Sequence, residues 1–192
     1  MGISSKIEEV PSIALGSSNL SLLELAKAYT CFVNNSKPST PVFITKIEDK
    51  EGRVIASFND LNPKQTTQKA FSDYTRQVML EFLKATVDDG TAQRLRSTYG
   101  FKNDIAGKTG TTQDNKDGWF VGIMPTLITV TWVGNDTQQI GFSNTSIGQG
   151  ANSALPIFAN YLQQLNNDSK YNIITKASFE TPSNDVTQDL DC

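Results

Sequence analysis

The stretch Ile105–Asn135 constrains this chain more than any other. It holds three segments rich in β-forming residues: Ile105–Thr112, Trp119–Met124 and Leu127–Asn135. Asp114-Asn115 and Asp117-Gly118 supply turn chemistry at the first break, and Pro125 supplies it at the second. Breaks this short leave no room for a crossover helix. Neighbouring strands must therefore run antiparallel, as a meander.

Helical periodicity flanks that meander. Ser21 and Glu24 have the spacing of a capping box, in which each side chain satisfies a free backbone N–H of the other. Leu22, Leu25, Ala26, Tyr29, Phe32 and Val33 then recur at three- and four-residue intervals, until Asn34-Asn35 and Pro38 end the pattern. A second helix is predicted from about Ser72 to Val87, with Val78, Met79, Phe82 and Leu83 turned inward. It stops at Asp88-Asp89-Gly90, where the glycine can take a left-handed cap. Thr91–Ser97 reads as a further short turn of helix, and a last helix covers about Asn152–Asn166, with Pro156 tolerated in its first turns. Between the first two helices, Val42–Ile47 and Arg53–Phe58 flank Asp49-Lys50-Glu51-Gly52 and read as a hairpin. The sum is an α+β unit, an antiparallel sheet with flanking helices.

Composition narrows the function. With 38% hydrophobic and 19% charged residues the chain reads as globular, and no apolar run approaches the roughly 18 residues that cross a bilayer. No lysine or arginine stripe points to nucleic acid, and no basic amphipathic helix points to a lipid surface. The net charge of −3 sits at the end of the chain, where five acids in residues 168–192 face only Lys170 and Lys176. That segment is expected to be an acidic, partly disordered tail on a unit spanning residues 1–167. There is no histidine, which removes Ser-His-Asp and Cys-His catalysis and every histidine-based metal site. Of the two cysteines, Cys31 falls on the apolar side of the first helix and reads as a buried free thiol, and Cys192 is terminal.

One segment carries chemistry: Gly107-Lys108-Thr109-Gly110-Thr111-Thr112. It does not make a P-loop. That motif needs a glycine five positions before Gly107, where Lys102 stands, and the residues that follow make a strand rather than a helix. The residue types instead suit a strand that holds a peptide carboxylate. Lys108 offers a fixed positive charge and Thr109 a hydroxyl donor. Gly110 lets a peptide backbone lie against the strand, and Thr111 can offer a backbone N–H to an oxyanion.

The surrounding phrases carry a resemblance. Ala106–Asp114, Asp117-Gly118-Trp119-Phe120-Val121-Gly122 and Trp132-Val133-Gly134-Asn135-Asp136 resemble the C-terminal half of the transpeptidase domain of class A (bifunctional) penicillin-binding proteins. Pro11–Ser17 and Leu22–Tyr29 upstream, and Gly148–Ile157 downstream, are similar to that family's flanking segments, so the likeness spans about residues 2–165. It implies a partial penicillin-binding/β-lactamase-like fold, with Lys108, Thr109, Gly110 and Thr111 as the substrate-binding strand. It also implies a peptidoglycan stem peptide ending in D-Ala-D-Ala, and β-lactams, as ligands of the full-length parent, which would work on the periplasmic side of the inner membrane. No cofactor, metal, nucleic acid or membrane contact is implied for this segment. The Trp-Phe-Val-Gly and Trp-Val-Gly phrases favour the bifunctional transpeptidases over the β-lactamase and carboxypeptidase branch.

Two of that family's three motifs are missing. No Ser-x-x-Lys occurs in the sequence; Thr66-Thr67-Gln68-Lys69 has the spacing, but with threonine and in a polar loop. Ser17-Ser18-Asn19 spells the second motif, but inside a phrase that in the family follows it. The sequence is therefore expected to begin inside the domain, to need a missing upstream half and to be inactive alone. A stand-alone binding or regulatory module derived from the fold is the alternative. The strands expected from the upstream half would complete the sheet beside Leu127–Asn135, leaving that edge unpaired here.

Overall fold

The computed structural model describes residues 1–16, 18–58, 66–137 and 139–190. Their element order is α1 (Leu22–Tyr29), β1 (Lys46–Glu48), β2 (Val54–Ser57), α2 (Asp73–Asp88), α3 (Arg94–Ser97), β3 (Ala106–Thr111), β4 (Asp117–Met124) and β5 (Leu127–Gly134). Then follow α4 (Thr145–Gly148), α5 (Leu155–Asn166), α6 (Asn172–Thr175) and α7 (Asn184–Leu190). The architecture is α+β with antiparallel sheets, as the sequence predicts.

Strands β3, β4 and β5 form the antiparallel meander in that spatial order. Its register places Lys108 opposite Val121, Thr109 opposite Phe120 and Trp119 opposite Trp132. Facing residues of an antiparallel pair share one side of the sheet, so alternation sorts the side chains into two faces. Phe120 and Met124 look to one face, where Leu155, Phe158, Ala159 and Leu162 of α5 close the larger core. Val121 and Ile123 look to the other, where they meet Phe32, Leu80, Leu83 and Ala106. A central strand covered on both faces explains why β4 is nearly all buried. Gly122 has a packing reason: a Cβ there would stand 2.5 Å from the Phe158 ring, so glycine lets α5 press onto the sheet.

Helix α1 starts as expected. The Ser21 hydroxyl accepts from the Glu24 N–H, and the Glu24 carboxylate accepts from the Ser21 N–H. The same carboxylate gathers the N–H and hydroxyl of both Ser4 and Ser5, at 2.7–3.0 Å, tying the first residues to the helix. The buried face is narrower than the sequence pattern predicts: Ala28, Cys31 and Phe32 are buried, while Leu22 stays 43% exposed. Tyr29, Val33, Ile128 and Val130 pack against the same cluster, and α1 lies against β5. Beyond it, β5 has no further strand among the described residues.

Three local expectations are corrected. The hairpin is shorter, pairing Lys46–Glu48 with Val54–Ser57 around a turn in which Gly52 sits at φ +82°. Val42–Ile44 lies outside it, and Phe43 is 80% exposed. Helix α2 buries Arg76, Leu80, Leu83 and Val87 rather than Val78, Met79 and Phe82, and Phe82 is 56% exposed. Gly90 is not left-handed; a Cβ there would meet the Thr86 Cα at 2.8 Å, so this glycine serves close approach rather than an αL cap. The acidic end folds back on the same helix. Val186 of α7 is fully buried, Glu180 pairs with Arg76 at 3.1 Å, and the Ser183 N–H donates to Gln77 at 2.7 Å. No helix among the described residues is long and apolar enough to cross a membrane.

Candidate functional site

The Lys108–Thr111 stretch occupies the second half of β3, where the strand emerges from the core. Ala106 and Gly107 are buried, Lys108 and Thr111 are exposed, and Thr109 and Gly110 lie between. The Thr112 N–H donates to the Asp117 carbonyl at 3.1 Å, which fixes the alternation of the ladder. The N–H and C=O groups of residues 108 and 110 therefore point to β4, and those of 107, 109 and 111 point to the other edge, where β3 has no strand partner among the described residues.

Side chains alternate the other way. Thr109 and Thr111 share the face of Phe120 and Gly118, and Lys108 stands on the opposite face, beside Val121. The Lys108 ammonium curls around the strand and donates to the Thr109 carbonyl, one of the edge-directed groups. Strand alternation thus puts Thr109 and Thr111 on one side, and Lys108 reaches around from the other.

Each threonine is held from outside the motif. The Thr111 hydroxyl accepts from the Gly150 N–H at 3.1 Å, which leaves its own hydrogen free to donate. The Thr109 hydroxyl bonds the Thr91 hydroxyl at 2.7 Å. The Gly150 contact depends on glycines in both segments. A Cβ on Gly150 would stand 2.2 Å from the Trp119 carbonyl and 2.4 Å from that of Gly110, and one on Gly118 would overlap the Ser153 hydroxyl. Beyond the motif, Thr112 closes the β3–β4 turn: its hydroxyl accepts from the Asp117 N–H at 2.9 Å and donates to the Asp117 carboxylate at 3.2 Å. That carboxylate, only 7% exposed, also accepts from the Trp132 indole N–H at 2.8 Å.

The Thr66-Thr67-Gln68-Lys69 stretch does not join this group. Thr66 is exposed, and Lys69 is drawn to Asp73 at the start of α2, 3.3 Å away. Of Ser17-Ser18-Asn19, Ser17 lies outside the described residues. No cluster of three or more histidine, cysteine, aspartate or glutamate side chains among the described residues could hold a metal ion. Sequence reading missed Thr91, Gly150 and Asp117 as neighbours of the motif. Gly150 and Asp117 had a signal, their places in the Gly148–Ile157 and Asp117–Gly122 phrases, and Thr91 had none.

Residues 4–163 match the family described as the penicillin binding protein transpeptidase domain. The chain belongs to that family. The penicillin-binding protein 1A of Neisseria lactamica is 37% identical over 161 residues, covering 82% of this chain and 20% of the relative. That of Aquifex aeolicus is 35% identical over 159 residues, covering 79% of this chain and 19% of the relative. The crystal structure of penicillin-binding protein 1A from Haemophilus influenzae superposes with a TM-score of 0.69 at 21% identity, covering 89% of this chain and 29% of that one. A likeness at that identity establishes the transpeptidase fold. The chain spans about a fifth of the length of the curated penicillin-binding proteins it matches.

Proposed function

We propose that this chain forms the carboxylate-holding half of a peptidoglycan D,D-transpeptidase domain. Residues 1–167 are its C-terminal part, and residues 168–192 are an appended acidic tail. In this reading an acyl-D-alanyl-D-alanine peptide lies along the edge of β3. Lys108, Thr109 and Thr111 take its terminal carboxylate, Gly110 leaves room for its backbone, and the edge-directed Thr111 N–H forms part of the oxyanion hole. The full-length parent works outside the cytoplasmic membrane, on the periplasmic side, with stem peptides and β-lactams as ligands.

The observation that carries this reading is the state of the β3 edge. The motif's peptide groups at 109 and 111 face away from β4, while both threonine hydroxyls are held by contacts from outside the strand. Preorganised donors aimed at one place are what anion recognition requires, since no reorganisation is needed on binding. Acyl transfer needs something more: a nucleophilic oxygen activated by a base. This sequence has no Ser-x-x-Lys, and we assign that pair to a second half of the domain.

Calorimetric titration with N-acetyl-D-alanyl-D-alanine tests the recognition step. Binding should weaken roughly 10- to 100-fold in Lys108→Ala, the effect of losing a charge-assisted bond. Equal affinity for the wild-type and Lys108→Ala chains would remove the ground for this assignment.

A further inference from the structure

Thr91 stands outside the motif strand, 18 residues before Thr109, yet its hydroxyl sits 2.7 Å from that of Thr109. Its place is fixed from both sides. Gly90 lies against the Thr86 backbone so closely that a Cβ would stand 2.8 Å from the Thr86 Cα. Ala92 is fully buried, and its N–H donates to the Thr86 carbonyl at 2.9 Å. The turn after α2 therefore presents the Thr91 hydroxyl to β3 from a rigid base. That turn is also tied to the glycine-rich turn that holds Thr111. The Arg94 guanidinium donates to the Ala151 carbonyl at 3.3 Å and to the Asn152 side-chain carbonyl. One frame, closed through Arg94, thus supports both motif hydroxyls.

We propose that Thr91 is a positioning residue for carboxylate recognition, orienting the Thr109 hydroxyl so that a hydrogen remains for the ligand. Two hydroxyls share one O–H···O bond, and the pair keeps one donor hydrogen in surplus. When Thr91 donates to Thr109, the Thr109 hydrogen is the surplus one and points away from Thr91. Without Thr91, Thr109 is free to rotate or to donate to a backbone carbonyl. This inference rests on the carboxylate-strand reading above and adds a residue to it.

The test is a titration of the isotopically labelled 192-residue chain with N-acetyl-D-alanyl-D-alanine and with its C-terminal amide, followed by amide chemical shifts. The wild type is compared with Thr91→Val, Thr91→Ser and Lys108→Ala, each first checked for an unchanged unfolding midpoint. Thr91→Val should bind the acid roughly 3- to 10-fold more weakly, the range for one neutral hydrogen bond, and bind the amide unchanged. Thr91→Ser should restore the wild-type preference for the acid. Should Thr91→Val not fold, Thr91→Ala takes its place in the comparison. Equal acid affinity in the hydroxyl-free variant and the wild type, with Lys108→Ala still weakened, overturns the Thr91 role and leaves the strand reading standing. Equal weakening by Val and Ser also overturns it, since packing and not the hydroxyl would then matter. Absence of Lys108-dependent binding in the wild type removes the strand reading and this inference with it.

Discussion

Gly150→Ala is the substitution whose effect the structure fixes most tightly. Gly150 is not in the left-handed region, so alanine meets no backbone penalty of its own. The obstacle is steric. The added methyl would stand 2.2 Å from the Trp119 carbonyl and 2.4 Å from the Gly110 carbonyl, both main-chain atoms of paired strands. Neither can swing aside as a flexible side chain could, so the turn must withdraw and break the 3.1 Å bond from the Gly150 N–H to Thr111. Overpacking costs about 1–3 kcal/mol and a lost neutral hydrogen bond about 0.5–1.5 kcal/mol, giving roughly 2–4 kcal/mol together. For a chain of this size that lowers the thermal midpoint by roughly 5–15 °C. Urea denaturation followed by tryptophan fluorescence measures it. Thr111→Val gives the second arm of a double-mutant cycle, in which the hydrogen-bond part should fail to add. A Gly150→Ala chain within about 0.5 kcal/mol of wild type, the usual range of harmless surface changes, would refute the close approach.

Trp132→Phe removes one donor from the nearly buried Asp117 carboxylate and should cost about 1.5–3 kcal/mol in the same denaturation assay; no loss would mean that the indole N–H is not an anchor. Burial pushes the Cys31 thiol above its ordinary pKa and shields it, so Cys31 should resist a thiol reagent at neutral pH until the chain unfolds, as read by peptide mass. Glu24 is held well below the usual carboxylate range, first by the Ser5 N–H and then by the Ser5, Ser21 and Ser4 donors. Its contribution is therefore complete above the unfolded value of about 4.5 and is lost as the pH falls toward the depressed folded value. Protection of the Ser4 and Ser5 amides, measured against their intrinsic exchange rates, should persist at pH 4 and be lost in stronger acid or in Glu24→Gln. Fast exchange at neutral pH would contradict the tether.

How much of this was legible depended on whether local chemistry or tertiary context decided the outcome. The meander was legible because two short breaks leave only antiparallel pairing, and alternation then fixes which residues share a face. The α1 start was legible because a capping box is complete within four residues. Helix α2 was harder. Val78, Met79, Leu80, Phe82, Leu83 and Val87 offer two overlapping apolar stripes, and only docking beside β3 chose the one through Leu80, Leu83 and Val87. Gly90 reads as a cap from sequence, but its use is set by the Thr86 backbone it must approach. The motif strand was legible residue by residue, whereas its supports were not. Thr91 and Thr109 are 18 residues apart, and Thr111 and Gly150 are 39 apart, so no local pattern joins them.

Covalent labelling by a fluorescent penicillin tests the central claim most directly. Holding a carboxylate makes no bond, and an acyl adduct needs the activated nucleophile that we assign to the other half of the domain. The isolated 192-residue chain, incubated with the reagent, denatured and weighed intact, should keep its unmodified mass. A stable increase of one penicillin per chain, surviving denaturation, would place a nucleophile within this sequence and contradict the account.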